Sequence, residues 1–254
     1  MVVIVAVVAA GRGRGKTSLV ESITGRLSSR YRVWTVKHVS DSFDTREKDT
    51  WRHLKAGSEG SIALGAGSLV VLRSEIDESV ERALKEVPAG ADLVLVEGFK
   101  ESVLPKILLA QSTDEAEEQL ERTSNIFAIS GPLADLHTNR SVKGVPILGS
   151  DSVTDVVSGM VQDDQVKKLP GVDCKKCGYP SCKDMANAIL KGESLLKDCR
   201  TLKISDVMLI VDGKPVYLSE FPKSVVRNVV LGLVNSLKGF DAKKTGKITL
   251  ELRT

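Results

Sequence analysis

The sequence is poor in aromatic residues, nearly balanced in charge, and without an apolar run long enough to cross a bilayer. Aromatic side chains make up 4% of the 254 residues, too few for the stacking platforms on which single-stranded nucleic acid binds. The net charge of +3 gives no electrostatic basis for a nucleic-acid or membrane partner. The apolar opening from Met1 to Ala10 is shorter than a membrane span of about 20 residues and lacks the basic flank of a signal peptide. We therefore expect a soluble, cytoplasmic protein.

Cysteine is also scarce, and its four copies all lie in one segment, from Cys174 to Cys199. In a cytoplasmic chain such crowding favours a metal or cluster site over disulfides. Charge divides at a similar point: residues 1–160 carry three more acidic than basic side chains, and residues 161–254 carry six more basic than acidic ones. The basic excess therefore accompanies the cysteines, which predicts more than one domain.

The first 160 residues alternate β-branched runs with helical patterns, as βα units do. The predicted strands are Val2–Val8, Arg32–Lys37, Leu93–Val96, Lys106–Ala110, Asn125–Ser130 and Val145–Leu148. The predicted helices are Lys16–Leu27, Asp77–Val87, Thr113–Arg122 and Asp151–Val161. Two short runs, Ser61–Leu64 and Leu69–Leu72, predict a hairpin across Gly65-Ala66-Gly67. This order is typical of an α/β fold with a largely parallel sheet and helices on both faces.

A polar stretch, Gln162–Lys168, predicts a linker that ends the first domain, residues 1–161. The cysteine module follows at 169–203, with a helix over Lys183–Lys191. Residues 204–254 predict a small α+β domain of the ββαβ type. Its elements are a hairpin (Val207–Val211 and Pro215–Leu218, with an Asp212-Gly213 turn), a helix (Pro222–Leu237) and a closing strand (Lys247–Leu252).

The segment between the first strand and the first helix has the composition of a phosphate-binding loop. Ala10 to Ser18 read Ala-Gly-Arg-Gly-Arg-Gly-Lys-Thr-Ser, the broader Walker A form of P-loop NTPases. Glycines let backbone N–H groups surround phosphate oxygens, and the helix N-terminus adds its positive end. Lys16 is suited to the β- and γ-phosphates and the Thr17 hydroxyl to Mg²⁺. The predicted nucleotide-binding residues are Gly11, Arg12, Gly13, Arg14, Gly15, Lys16, Thr17 and Ser18.

Two alternatives stay open for this loop. A glycine-rich turn between a strand and a helix also occurs in proteins that bind no phosphate. Arg12 and Arg14 either add positive charge to the phosphate site or face water.

A P-loop protein also needs a carboxylate to hold Mg²⁺ or to position water. Glu97 follows the strongly apolar strand Leu93–Val96, and ligands of an open parallel sheet bind at the carboxyl ends of its strands. Glu97 is therefore the first candidate for Mg²⁺ or water positioning, and Asp49 is the second. The alternative is that Glu97 only caps the following segment.

Several segments together resemble the MobB family of molybdopterin-guanine dinucleotide biosynthesis adaptor proteins over residues 1–160. Besides the loop, they are Thr35-Val36-Lys37-His38, Lys48-Asp49-Thr50-Trp51-Arg52-His53-Leu54-Lys55-Ala56-Gly57, Leu95-Val96-Glu97-Gly98-Phe99-Lys100 and Leu104-Pro105-Lys106-Ile107. The resemblance implies a GTP-binding, at most weakly GTP-hydrolysing adaptor that helps the molybdenum cofactor guanylyltransferase attach GMP to molybdopterin. It also implies a homodimer.

GTP rather than ATP follows from this resemblance alone, although Asp135 is placed after a strand where it could accept from a guanine edge. Candidate cleft residues within the matching segments are Lys37, His38, Asp49, His53 and Lys100. The two histidines are equally compatible with structural hydrogen bonding. His137 has no supporting context.

The spacing Cys174-x2-Cys177-x4-Cys182-x16-Cys199 lacks the second CxxC knuckle of a zinc ribbon. Three of these cysteines share one loop containing glycine and proline, which predicts three corners of a [4Fe–4S] cluster, with Cys199 as the fourth ligand. The stretch from Leu169 to Cys199 resembles the small iron–sulfur domain of the corrinoid iron–sulfur protein. Structural Zn²⁺ is the alternative metal.

Two other functions remain compatible with this sequence. One is a P-loop NTPase that gates electron or cluster transfer during metalloenzyme maturation. The other is a protein-interaction module in which the cluster is only structural.

Overall fold

The chain divides into two compact units, Met1–Asp164 and Gln165–Thr254. In the computed structural model the described residues are 2–39, 49–73, 77–136, 140–203, 207, 209–211, 214–216, 218, 220–238 and 248. Among these, no helix is both long and apolar enough to cross a membrane.

The first unit is built from alternating strands and helices, as predicted. Its strands are β1 (Val3–Ala9), β2 (Val33–Lys37), β3 (Gly60–Gly65), β4 (Ser68–Arg73), β5 (Leu93–Glu97), β6 (Lys106–Leu109), β7 (Ile126–Ser130), β8 (Ser141–Val142) and β9 (Val145–Pro146). Its helices are α1 (Lys16–Leu27), α2 (Asp49–Lys55), α3 (Val80–Leu84), α4 (Thr113–Arg122), α5 (Pro132–Leu136) and α6 (Ser150–Lys167), the last of which continues past residue 164.

The central sheet has the order β2-β5-β1-β6-β7, and its neighbouring strands are all parallel. β1 lies in the middle, and residues Val5 to Val8 are at most 1% exposed, because helices cover both faces. Parallel pairing brings the carboxyl ends of all five strands to one edge. The predicted α/β class is confirmed.

Each face of the sheet is covered by a different set of helices. Val80 of α3, Ala116 of α4 and Leu133 of α5 share one buried cluster with sheet residues such as Val94 and Leu108. α1 buries a separate stripe of side chains, and its Arg26 bonds to Asp151 and Asp155 of α6. α1 therefore packs on the opposite face of the sheet. Its buried residues are those that the spacing of apolar residues predicts.

The hairpin of β3 and β4 forms a two-stranded sheet of its own. Ala66 and Gly67, with φ of 49° and 74°, make its two-residue turn. α2 precedes the hairpin and buries no side chain, so it offers no apolar periodicity from which a helix could be predicted.

Two predicted elements of the first unit are shorter in the structure, and one helix besides α2 was not predicted. The helix predicted over 77–87 is only Val80–Leu84, because Ser79 caps it by accepting from the Arg82 N–H. The last predicted strand is reduced to the two-residue β9 and a bridge from Ile147 to Ile129. α5, which follows Gly131, has no counterpart in the prediction.

The predicted linker over 162–168 is wrong as a description of local structure, because α6 runs through it to Lys167. The reason is a buried stripe with a spacing of four, in which Val153, Val157, Val161 and Gln165 are 0–3% exposed. The polar Gln165 continues this stripe because its Oε1 accepts from the Leu196 N–H at 3.1 Å. The division between the two units nevertheless falls at 164/165, inside the predicted linker.

The second unit has fewer and shorter elements. They are α7 (Cys182–Leu190), a 3₁₀ turn (Leu196–Asp198), α8 (Arg200–Lys203), β10 (Leu209–Val211), β11 (Lys214–Val216) and α9 (Glu220–Asn235). β10 and β11 form the predicted hairpin. The predicted turn residues 212–213 and, apart from residue 248, the predicted closing strand over 247–252 fall outside the described residues.

Lys106, the first residue of β6, is a fully buried lysine. Its ammonium donates to the carbonyl of Ser102 and, at 3.0 Å each, to the carbonyls of Leu104 and Ser124. Burial lowers the pKa of Lys106, and the nearby Glu101 partly offsets this. Lys106 therefore ties the connection between β5 and β6 to the residues that precede β7.

Replacing Lys106 by methionine should lower the free energy of unfolding by about 2 kcal/mol. The new side chain fills similar space but leaves the carbonyls of Ser102, Leu104 and Ser124 without this donor, at about 1–3 kcal/mol for each group that water does not reach. Urea unfolding followed by circular dichroism measures the change. The exposed Lys85 supplies the matched control, since Lys85→Met should leave the midpoint nearly unchanged. Equal stability of Lys106→Met and the wild type would mean that water replaces the ammonium.

Candidate functional site

The loop between β1 and α1 has the backbone form that phosphate binding requires. Gly13 and Gly15 have φ of 69° and 82°, a left-handed conformation that side chains with a Cβ rarely adopt. Gly15 is the N-cap of α1, so the helix N-terminus opens onto the loop. The Lys16 ammonium folds back and donates to the Gly11 carbonyl at 2.8 Å. The lysine thus spans the concave side of the loop.

The loop is connected to β5 by one side-chain contact. The Thr17 hydroxyl donates to the two carboxylate oxygens of Glu97 at 3.1 and 3.0 Å. Glu97 is paired in register with Val7 of β1 and with Lys37 of β2, and the Lys37 ammonium lies 3.5 Å from Glu97 Oε1. The structure therefore brings together three predicted site residues: Thr17, Glu97 and Lys37.

His38 extends this group along the same edge of the sheet. Its backbone N–H donates to the Glu97 carbonyl at 3.0 Å, and its ring lies 4.8 Å from the ring of Phe99, centroid to centroid. Gly98 between them has φ 98°, and a Cβ there would approach His38 Cβ to 3.0 Å. Only glycine at 98 therefore permits this close packing of β2 against the end of β5.

Arg14 has a carboxylate partner that the sequence does not reveal. Its guanidinium lies 3.8 Å from Glu115 Oε1, and the other oxygen of Glu115 accepts from the Gln111 N–H at 2.8 Å. Glu115 belongs to the first turn of α4, where an acidic residue is already favoured by the positive end of the helix dipole. Arg14 is therefore not purely solvated: it forms an ion pair beside the loop.

The remaining predicted cleft residues lie elsewhere in the first unit. Asp49 pairs with Arg52 on α2 at 3.3 Å, and His53 is exposed on the same helix. Lys100 lines a shallow polar cleft with Glu101 and residues 120–124, which neither Thr17 nor Glu97 lines. Asp135 is exposed on α5. Lys48 and His137 fall outside the described residues.

Oxygen ligands and main-chain donors define what the loop region can do chemically. The Thr17 hydroxyl and the Glu97 carboxylate are ligands of the type that Mg²⁺ prefers, and they already lie in contact. Glu97 is 12% exposed, so its charge is only partly screened by water. This pair fits a Mg²⁺ ion, directly or through water, beside phosphates held by the loop.

The cysteine module surrounds a small apolar cluster in the second unit. Met185, Ile189 and Cys199 are buried in it, and Cys177 packs against them. Left-handed residues alternate along the preceding loop, at Gly171 (φ 66°), Asp173 (43°) and Lys175 (58°). This backbone form creates the N–H-lined concavities that hold anionic groups, iron–sulfur clusters among them.

The thiols of this module influence one another. Burial raises the pKa of Cys199, and the neighbouring Cys177 and Cys174 raise it further, against the backbone N–H groups of Leu202 and Thr201. Burial also opposes ionisation of Cys174, but the Thr201 hydroxyl at 2.8 Å and the charge of Lys176 outweigh it and lower the pKa. Of these thiols, Cys177 packs against the cluster that contains Cys199.

All four cysteines are free thiols, and four thiolates are the donor set of a [4Fe–4S] cluster. No three Cys, His, Asp or Glu side chains in the described ranges are close enough to hold one metal ion. The donor chemistry thus fits the predicted cluster, while the positions of the side chains fall short of a ligand shell. Cys182, the first residue of α7, is connected to the preceding loop, because its N–H donates to Asp173 Oδ1 at 2.6 Å.

Comparisons with known proteins agree with the division of the chain. Residues 4–131, just over half of the chain, match the family "Molybdopterin guanine dinucleotide synthesis protein B", or MobB. Residues 169–201 match the family "Putative Fe-S cluster". The first match contains the phosphate loop, Lys37 and Glu97, and the second contains all four cysteines.

Two curated proteins are similar to this chain. A Methanocaldococcus jannaschii protein, the "Putative molybdopterin-guanine dinucleotide biosynthesis adapter protein", is 26% identical over 245 residues, which are 94% of this chain and 93% of that protein. A Haemophilus influenzae molybdopterin-guanine dinucleotide biosynthesis adapter protein is 37% identical over 103 residues. The second match covers 38% of this chain and 57% of that protein.

Solved structures similar to this chain carry the same family name. A crystal structure of molybdopterin-guanine biosynthesis protein B is 21% identical, covers 63% of this chain and 98% of its own, and has a TM-score of 0.48. Bacillus subtilis MobB is 25% identical, covers 61% of this chain and 94% of its own, and has a TM-score of 0.47. On the family match over residues 4–131, this chain belongs to the molybdopterin guanine dinucleotide synthesis protein B family, with an iron–sulfur family segment following it.

Proposed function

We propose that this chain is a GTP-binding adaptor that assists the molybdenum cofactor guanylyltransferase in attaching GMP to molybdopterin. The observation that carries the proposal is the Thr17–Glu97 contact beside a glycine-rich loop spanned by Lys16. The names of the two curated relatives support the role in molybdopterin-guanine dinucleotide biosynthesis.

In this proposal each loop group has a separate task. The N–H groups of residues 11–18 bind the phosphates, and Lys16 exchanges its Gly11 carbonyl for the β- and γ-phosphate oxygens. Thr17 and Glu97 hold Mg²⁺, which neutralises the phosphate charge when it is bound. The site contains a group that could position water, Glu97, but its carboxylate is engaged by Thr17 and Lys37. The geometry therefore supports binding more than rapid turnover.

Lys16→Ala should weaken GTP binding at least about tenfold, or by roughly 1.4 kcal/mol, because it removes a charge-assisted contact to the phosphates. Isothermal titration calorimetry on the full chain measures the loss. Lys85→Met serves as the control for a changed lysine charge and should bind as the wild type does. Unchanged affinity in Lys16→Ala would exclude the phosphate-loop assignment.

The second part of the proposal is a [4Fe–4S] cluster held by Cys174, Cys177, Cys182 and Cys199. The four free thiols, their mutual influence on pKa and the left-handed loop backbone support it. A cluster with four thiolates is an anion, and the basic excess of residues 161–254 would offset its charge. Zn²⁺ would accept the same ligands, so metal analysis must accompany the test.

Cys199→Ser should lose most of the iron and the charge-transfer absorption of the anaerobically purified protein. GTP binding should persist, because the phosphate loop lies in the first unit with its own core. Iron, sulfide and zinc analysis, with calorimetry on the same sample, gives both results. Ser194→Ala, which alters a hydroxyl of the same module, is the control. A full complement of four irons in Cys199→Ser would show that the ligand set is wrong.

The third part is a homodimer formed through the β3–β4 hairpin. Ile62, Leu64 and Leu69 are 63–82% exposed on this two-stranded sheet, an apolar surface that isolated monomers rarely retain. A two-fold axis would bring the same surface of both subunits together.

Leu64→Asp should convert the dimer to a monomer, because it buries a charge at the centre of the proposed interface. Size-exclusion chromatography with light scattering determines the mass. Leu136, which is 71% exposed outside the hairpin, provides the control, and Leu136→Asp should stay dimeric. A monomeric wild-type chain would contradict the homodimer, and a dimeric Leu64→Asp would place the interface elsewhere.

A further inference from the structure

Lys37 is a cation of the candidate site that lies outside the phosphate loop. It is the last residue of β2, at the edge of the sheet, and it is 57% exposed, whereas its partner Glu97 is 12% exposed. The 3.5 Å separation from Glu97 Oε1 is an ion pair without a short hydrogen bond. The Lys37 side chain is open to water and its contact with Glu97 is long, so the ammonium is accessible to a further anion.

The position of Lys37 determines which anion it can reach. Strands in a sheet are about 4.8 Å apart, and the order β2-β5-β1 places β2 two strands from the strand that feeds the loop. β5 lies between β1, which leads into the loop, and β2, which ends at Lys37, and both Thr17 and Lys37 contact the Glu97 carboxylate. Thr17 and Glu97 would hold a divalent cation, which would neutralise charge at the phosphate end of a nucleotide. Lys37 contacts the carboxylate that would hold this cation, so it lies nearer to the phosphate end of a nucleotide bound there than to the base.

We propose that Lys37 recognises the terminal phosphate of a nucleoside triphosphate and so distinguishes triphosphate from diphosphate. This rests on the proposed nucleotide binding. When no nucleotide is bound, the ammonium neutralises Glu97. A divalent cation held by Glu97 would repel the ammonium, which would then take the γ-phosphate as its counter-charge. A diphosphate would offer no such partner, and Lys37 would then compete with the cation for Glu97.

Calorimetric titration of GTP and GDP at saturating Mg²⁺ tests the proposal in the full chain. Lys37→Met should weaken GTP binding about tenfold and change GDP binding by less than about twofold. Lys37→Arg, which keeps the charge, should retain most of the GTP preference. Lys85→Met is the control and should preserve both affinities. ATP and ADP give the same comparison, because the phosphate end is shared.

The outcomes separate this proposal from the one on which it rests. An equal loss of GTP and GDP affinity in Lys37→Met would mean that Lys37 acts only by holding Glu97, and it would overturn the terminal-phosphate role. Unchanged affinity for both nucleotides would overturn it too. In either case a weakened Lys16→Ala would leave the phosphate loop assigned. Absence of GTP and ATP binding by the wild type would overturn both proposals.

Discussion

Burial of β5 between β1 and β2 is the constraint on which the candidate site depends. Leu93 to Val96 are 0% exposed, and a slip of one residue would turn every side chain of the strand to the other face. Such a slip would move Glu97 away from Thr17 and Lys37 and break the registers with Val7 and Lys37. The apolar core therefore fixes the position of the carboxylate, although Glu97 itself contributes nothing to that core.

The same strand continues into an unusually short crossover. Only residues 98–105 separate β5 from β6, whereas parallel strands are usually joined by a dozen residues or more. Gly98 and Phe99 turn with positive φ, and Lys106 satisfies the carbonyls of Ser102 and Leu104. The buried ammonium is thus part of what allows the chain to pass from Glu97 back to the start of β6 without a helix.

Local patterns predicted the elements whose causes are local. α1 and α4 have the predicted bounds, because an apolar stripe or an N-cap such as Ser112 defines each. The loop and the strand-end carboxylate were predictable because the glycine pattern after β1 and the apolar run before Glu97 are local features of the sequence. The position of Glu115 beside Arg14 and the burial of Gln165 were not predictable, because each depends on a partner that is distant in sequence. The sequence spacing of the four cysteines predicted a metal cluster, but it does not determine the distances between their side chains in the folded chain.

The small core of the second unit gives the cysteines a second role. Within its described residues, the buried apolar cluster consists of Met185, Ile189 and Cys199, little for a unit that must fold by burial alone. Cys199 supplies part of this cluster, and burial raises the pKa of its thiol. In its protonated form Cys199 therefore acts as a hydrophobic core residue. Metal binding would need its thiolate and would convert the free energy of ligation into folding free energy. Occupancy of the cluster and order in this unit should therefore be coupled, while the sheet that positions Glu97 has a core of its own.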